Sequence, residues 1–298
     1  MKKEKLVAIL TPTYNRSYLL NRLYQSLLKQ TTFDFVWYIV DDGSNDDTSE
    51  AVLQFYNEHF EVKYVYKENG GKHTALNTGI EMIKEELTFI VDSDDYLTED
   101  AIAIISQNWK KYADDCKICG LSFYRLTPEL KIIGEKFPLE EVVDSYAEMR
   151  INKRVLGDKA EVWRTAILKK FPFPVYMNEK FLSEAIVWNA ISAAGYKTVY
   201  LSKGIYVCDY LEGGLTKTGK KLRLETPYGT LDHARSFFYE DIRLKVRLKY
   251  IVYYDAVAIY SKKIRYAFSK CHGIYKTGFV AAFVPSCLIV LYWRNKYK

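Results

Sequence analysis

The stretch that decides the fold is "FIVDSDDYLTED", residues 89–100. An apolar run climbs to Val91, and carboxylates follow at Asp92, Asp94 and Asp95. The run has the length and composition of a buried strand. Like charges crowded at its end repel, so either water screens them in an open turn or a cation offsets them. The preceding sequence tells what kind of sheet this strand joins. "LVAILTPTYNR" (6–16) is another apolar run, and Pro12, lacking a backbone N–H, is expected to end a central strand there. Residues 16–29 set Leu19, Leu20, Leu23, Leu27 and Leu28 at helical spacing. "FVWYIV" (35–40) is a further continuous run, stopped by the turn-rich "DDGSNDDT" (41–48). Helices are expected at 49–58 and 75–86, and strands at "VKYVY" (62–66) and "LTFIV" (87–91).

Strand and helix thus alternate to about residue 95. Continuous apolar strands of this kind suit an α/β, Rossmann-like, mostly parallel sheet flanked by helices. In such sheets ligands gather outside the carboxyl ends of the strands. "TPTYNR", "DDGS", "NGGKH" and "DSDD" all fall at such ends. Beyond them the pattern loosens. A helix fits 101–112 and "CGLSFYRL" (119–126) a strand; "EAIVWNAISAAGYKTVYL" (184–201) reads as helix, Gly195 stop and strand.

The D-x-D spacing of Asp92 and Asp94 on a strand-to-loop turn can aim two acids at one ion and its diphosphate. Hard oxygen ligands suit Mn²⁺ or Mg²⁺. "NGGK" (69–72) offers the amide of Gly71 and the cation of Lys72 for phosphate contact, or is a plain glycine turn. No GxxxxGK[ST] or GxGxxG occurs, which disfavours a P-loop NTPase and a dinucleotide-binding enzyme. The four histidines form no HExxH, and Cys116 and Cys119 lack a second pair at zinc spacing. Five scattered cysteines and a charged start without a cleavage site point to reduced thiols in the cytoplasm.

In these motifs the chain resembles the family-2 glycosyltransferases of the GT-A fold. "TPTYNR", "VDDGSNDDT", "NGGKHTALNTGI" and "VDSDDYLTED" stand in that family's order across residues 6–100. "VLGDKAEVWRTAIL" and "FLSEAIVWNAI" carry the likeness to about residue 216. The resemblance implies a catalytic domain over 1–216, with a donor half (1–100) and an acceptor half (101–216). It implies a nucleotide-sugar donor, usually a UDP-sugar. Pro12, Tyr14 and Asn15 would lie near base and ribose, and Asp42 would accept from the base edge. Asp92 would face the ribose or sugar, Asp94 would bind the metal directly, and Asp95 would orient the loop or the donor sugar.

Family members often carry Glu-Asp at a later helix start, where an acid serves as base. Here the residues are Ser183-Glu184-Ala185, which leaves Glu184 as the base or as an acid stabilising a helix N-terminus. Asp158 is a backup base or an acceptor contact. Some relatives add a metal-ligating His after the base helix; "VCDYLEGGLTK" has none, and Asp209 or Glu212 could substitute. The implied reaction is direct displacement with inversion. Two alternatives are a nucleotidyltransferase making a nucleotide sugar and a non-catalytic, membrane-attached sugar-binding module. The first would show a glycine- and base-rich loop at the first strand, which "TPTYNR" lacks.

Charge divides the chain. Up to residue 202 there are 25 Lys and Arg against 30 Asp and Glu; from 203 onward there are 18 against 7. Residues 217–298 read as a helical, basic region. "GFVAAFVPSCLIVLYW" (278–293) is 16 residues without a charge, short of the roughly 20 that span a bilayer. With "RLKVRLKYIVYY" and "SKKIRYAFSK" upstream, it suits helices on an anionic membrane surface, or a cap packed on the catalytic domain. No nucleic-acid-binding motif is visible. A peripheral enzyme on the inner face of the cell membrane, with a glycan or polyprenyl-linked acceptor, is the expectation.

Overall fold

A computed structural model describes residues 4–209 and 221–296. Its centre is a nine-stranded sheet in the order β3-β2-β1-β4-β8-β6-β9-β5, with β7 also on β9. β1 (Val7–Thr13), β2 (Phe35–Asp41), β3 (Glu61–Tyr66) and β4 (Leu87–Ile90) are all parallel. β8 (Lys159–Arg164) then enters antiparallel between β4 and β6 (Ile118–Leu126). β9 (Lys197–Cys208) runs parallel to β6 and pairs antiparallel with β7 (Glu141–Asp144) and β5 (Asp95–Leu97). The first half of the sheet is therefore parallel and the second half mixed.

Both faces of the sheet are covered. α1 (Ser17–Leu28) and α4 (Ala101–Trp109) bury Leu20, Leu23, Ile105 and Trp109 on one face. α3 (Lys72–Met82) and α6 (Ala185–Ala193) bury Leu76, Ile80, Val187 and Trp188 on the other. α2 (Thr48–Leu53) and α5 (Thr165–Leu168) are short connectors. This double cover is why β1, β2 and β4 are buried along their whole length and largely apolar. β3 is half-exposed because it is the edge.

Several boundaries differ from the sequence reading. Pro12 does not end β1: it lies within the strand, opposite Val40 of β2. β1 has lost its β4 neighbour beyond Leu10, so that side is an edge, where proline is tolerated. α3 starts at Lys72 rather than Ala75, with Gly71 as its N-cap, and α2 is shorter than 49–58. β5 is a strand made from the acidic turn itself, which pattern reading does not find because it has only three residues.

The C-terminal region is helical: α7 (Pro227–Arg235), α8 (Leu244–Tyr260), α9 (Ile264–Lys270), α10 (Ile274–Ala281) and α11 (Phe283–Lys296). Leu231, Tyr254, Val257, Ala267 and Phe279 form its core. It is docked on the sheet body. Phe237 and Ile242 pack on Ala147, in a π-helical turn (Ala147–Asn152). Asn152 Nδ2 donates to the Asp241 carbonyl at 2.7 Å, and the two Glu179 oxygens accept the Tyr228 and Gly229 amides at 2.8 and 2.7 Å. The expected boundary at 216–217 lies outside the described residues.

Candidate active site

The strand ends bring their loops together, and each loop is fastened by the next. Asn15 adopts a left-handed backbone (φ 51°), a conformation asparagine tolerates. Its amide donates to Ser44 Oγ and its side-chain oxygen accepts from the Asn45 amide, both at 2.8 Å. Residue 15 therefore latches "TPTYNR" to "DDGSN". Tyr14, beside it, is 45% exposed, and Pro12 is buried in β1.

Asp42 is 3% exposed. Its carboxylate accepts from Lys67 Nζ at 2.7 Å, the Gly70 amide at 3.0 Å and the Gly71 amide at 2.7 Å. Asp42, expected at a base edge, and the Gly71 amide, expected at a phosphate, face one another in this structure. The two groups bind each other and shape the loop. Gly71 has φ 95°, and a Cβ there would stand 2.1 Å from the Lys180 carbonyl oxygen. His73 is buried as well, and burial lowers its basicity.

That loop delivers Lys72 to the first turn of α3. Its ammonium bridges Asp92 Oδ1 at 2.5 Å and Glu184 Oε1 at 2.8 Å. Glu184 is the N-cap of α6, so one lysine joins the acidic turn after β4 to the start of the second-half helix. Burial opposes the Lys72 charge, but the two carboxylates hold it well above the ordinary lysine value. Burial likewise opposes the charged form of Asp92, yet Lys72 and Arg125 hold it below the usual carboxylate range.

The other two acids face different partners. Asp94 Oδ2 meets Arg16 at 2.8 Å, and its backbone carbonyl accepts from Arg22. Asp95 is buried in β5 and accepts from Tyr206 Oη at 2.7 Å. Burial and the Asp92 charge push its carboxyl up to about 6 against the pull of Tyr206 and Arg125. Arg125 stands 3.7 Å from both Asp92 and Asp95, with its guanidinium 4.2 Å over the Tyr206 ring. Asp209 is engaged by Arg22 at 2.7 Å, and Glu212 lies outside the described residues.

Arg16, Arg125, Tyr206 and Glu161 were not found by sequence reasoning. Arg125 and Tyr206 sit opposite each other on β6 and β9. A lone arginine inside the apolar "CGLSFYRL" was the available signal. Glu161 is the same kind of residue in "KAEVWR" on β8. Burial pushes its carboxyl up to about 7; Arg150 and Arg125 pull it down, while Glu184 and Asp158 add to the rise. Asp158 is exposed and acts on this cluster at a distance.

Among the described residues no three His, Cys, Asp or Glu converge as a metal cage. A Mg²⁺-type site needs only one or two protein carboxylates, the rest of its shell being water and phosphate. Asp94 fits that limited role. It is half-buried, and no hydrogen bond among the described residues reaches Oδ1. Asp92 and Asp95 are held by Lys72 and Tyr206.

The sequence model of glycosyl transferase family 2 matches residues 8–164, which takes in β1 through β8 and every acid of the turn. The chain belongs to this family. Chondroitin synthase of Escherichia coli is 34% identical over 111 residues, 37% of this chain and 16% of that enzyme. The family-2 chain thus spans a small part of that relative's length. Staphylococcus aureus TarS 1-349, in complex with UDP-GlcNAc, superposes with a TM-score of 0.65 at 17% identity, covering 94% of this chain and 81% of that one. The mannosyltransferase PcManGT of Pyrobaculum calidifontis, with GDP-Man and Mn²⁺, gives 0.57 at 16% identity, covering 97% and 88%. At such identities the likeness shows the fold, GT-A.

Proposed function

We propose that the enzyme moves a sugar from a nucleotide-diphosphate donor, a UDP-sugar, to a hydroxyl of a glycan or polyprenyl-linked acceptor, with inversion. The observation that carries this reading is Lys72, whose ammonium holds the donor-side Asp92 and the candidate base Glu184 within one ion-paired group. Glu184 takes the proton of the acceptor hydroxyl as its oxygen bonds to the anomeric carbon and the bond to the diphosphate breaks. Lys72 fixes the Glu184 carboxylate beside the sugar-facing Asp92. Asp94 would hold Mn²⁺ or Mg²⁺, which when bound offsets charge on the leaving diphosphate. Arg16 and Arg125 add fixed positive charge at the same end of the sheet. UDP-GlcNAc in TarS supports the choice of donor nucleotide, and the Mn²⁺ of PcManGT supports the metal.

The acidic site and the basic helices suit an enzyme at the inner membrane surface, where a lipid-linked acceptor would be presented. The test is a thermal-shift screen of nucleoside diphosphates and their sugars with Mn²⁺, followed by transfer assays with the donor that stabilises. Binding of the native state raises the melting temperature by mass action. No shift with any nucleotide at millimolar concentration would overturn the donor assignment.

A further inference from the structure

The last two helices have an outer face that none of the described residues covers. Phe279, Ala282, Ser286 and Val290 turn inward at three- and four-residue spacing and are buried. The opposite face is not polar, as a surface helix requires. It presents Val280, Phe283, Val284, Leu288, Leu291 and Tyr292, with Val284 70% and Leu288 66% exposed. A helix apolar all round belongs in a core or in lipid. Its charges are of one sign: after Asp255 the chain has eight Lys and Arg and no Asp or Glu. Lys276 precedes the uncharged stretch, and Arg294 and Lys296 follow it.

Packing, more than length, decides between spanning and lying flat. α10 has 8 residues and α11 has 14, about 12 and 21 Å at 1.5 Å per residue. A hydrocarbon core is about 30 Å thick. The two helices meet at a 54° bend; among the described residues no single helix is long and apolar enough to cross, and only the bent pair together has the length and composition of a span. The inner stripe is also occupied: Ser286 Oγ donates to the Val252 carbonyl of α8 at 3.0 Å, and Trp293 packs edge-on to Tyr253 and Tyr260.

We infer that the α10–α11 elbow is a monotopic docking surface for an anionic leaflet. Val284, Leu288 and Leu291 enter the headgroup–acyl boundary, and Lys276, Arg294 and Lys296 meet lipid phosphates. This deepens the membrane-facing part of the proposed function and does not depend on the transfer chemistry. It commits to lipid over a second copy of the chain because a one-signed basic rim repels its own copy and attracts an anionic surface.

The test is flotation of the full-length protein with vesicles of phosphatidylcholine alone or with phosphatidylglycerol. Wild type is expected to float with the anionic vesicles at least about tenfold better than with neutral ones. Val284→Glu with Leu288→Glu is expected to lose about a hundredfold in partition. Arg294→Gln with Lys296→Gln should lose about fivefold per charge at low salt, a difference that vanishes in molar salt. Both pairs are exposed, so unchanged melting temperatures would verify the fold. Failure of wild type to bind anionic vesicles, or wild-type binding by the glutamate pair, overturns the inference. So does a vesicle-free dimer that the glutamate pair splits, which would assign the face to a second copy. Proteolysis of the elbow from the far side of a vesicle would replace the interfacial helix with a span. Donor-induced thermal shifts, measured in parallel, would fail without affecting flotation if only the transfer reading were wrong.

Discussion

Lys72 is the residue on which the site turns, because it is the only described side chain in ion-pair contact with both Asp92 and Glu184. Replacing it by Met keeps its length and removes the charge. Turnover is expected to fall about a hundredfold, as for a misplaced catalytic group, while the fold survives. Glu184→Gln should fall at least as far, and the double variant should be no worse than Glu184→Gln, since contacting residues are non-additive. Additive losses, measured as kcat of the three variants, would separate the two roles. Arg16 makes a second prediction. It pairs with Oδ2 of the carboxylate whose Oδ1 an ion would approach, so Arg16→Gln should tighten Mn²⁺ binding seen by electron paramagnetic resonance. Weaker binding would place the ion away from Asp94. The acids of the turn were legible as a cluster, because crowded carboxylates at a strand end demand an offset. Their partners were not, because Arg125 and Tyr206 arrive from strands some thirty and more than a hundred positions away.

At the scale of elements, the helix α3 is placed by its N-cap. Gly71 lies against the Lys180 carbonyl with φ 95°, so Gly71→Ala meets both a clash and a strained backbone. A loss of about 2–4 kcal/mol is expected in urea unfolding, with Lys72 displaced and activity lost beyond what the instability explains. In α8, Asp255 is wholly buried; burial pushes its carboxyl up to about 6 against the pull of the Ser286 hydroxyl. Its folded value thus lies above the unfolded 3.8, so its contribution is complete below pH 3.8 and is lost as pH rises through about 6. The stability of Asp255→Asn relative to wild type should therefore improve by about 2 kcal/mol between pH 4 and 7. A difference independent of pH would show that Asp255 does not titrate there. The strand-helix alternation of the first hundred residues was readable from continuous apolar runs. β5 and β8 were not: one is three residues long, and the other carries Lys159 and Glu161 among its apolar residues.

Across the whole molecule, the acidic sheet body and the basic helical region are one packed unit, not a domain and a loose tail. Phe237 and Ile242 cover Ala147, and Glu179 accepts two amides at the start of α7. Deleting 227–298 would therefore strip core contacts, and its expected outcome is a lower melting temperature as well as lost membrane binding. The sequence reading kept a membrane surface and a packed cap as alternatives; the inner and outer faces of α11 show packing on one side and open apolar surface on the other. No periodicity could separate them, because both faces are apolar. The most direct test of the central claim is donor turnover by wild type and Glu184→Gln, with donor affinity measured calorimetrically in each. General-base catalysis by Glu184 predicts equal affinity for the nucleotide sugar and release of nucleoside diphosphate slowed at least about a hundredfold in the variant. Wild-type turnover by Glu184→Gln would contradict it and move the base to another acid, with Glu161 and Asp158 the next to replace.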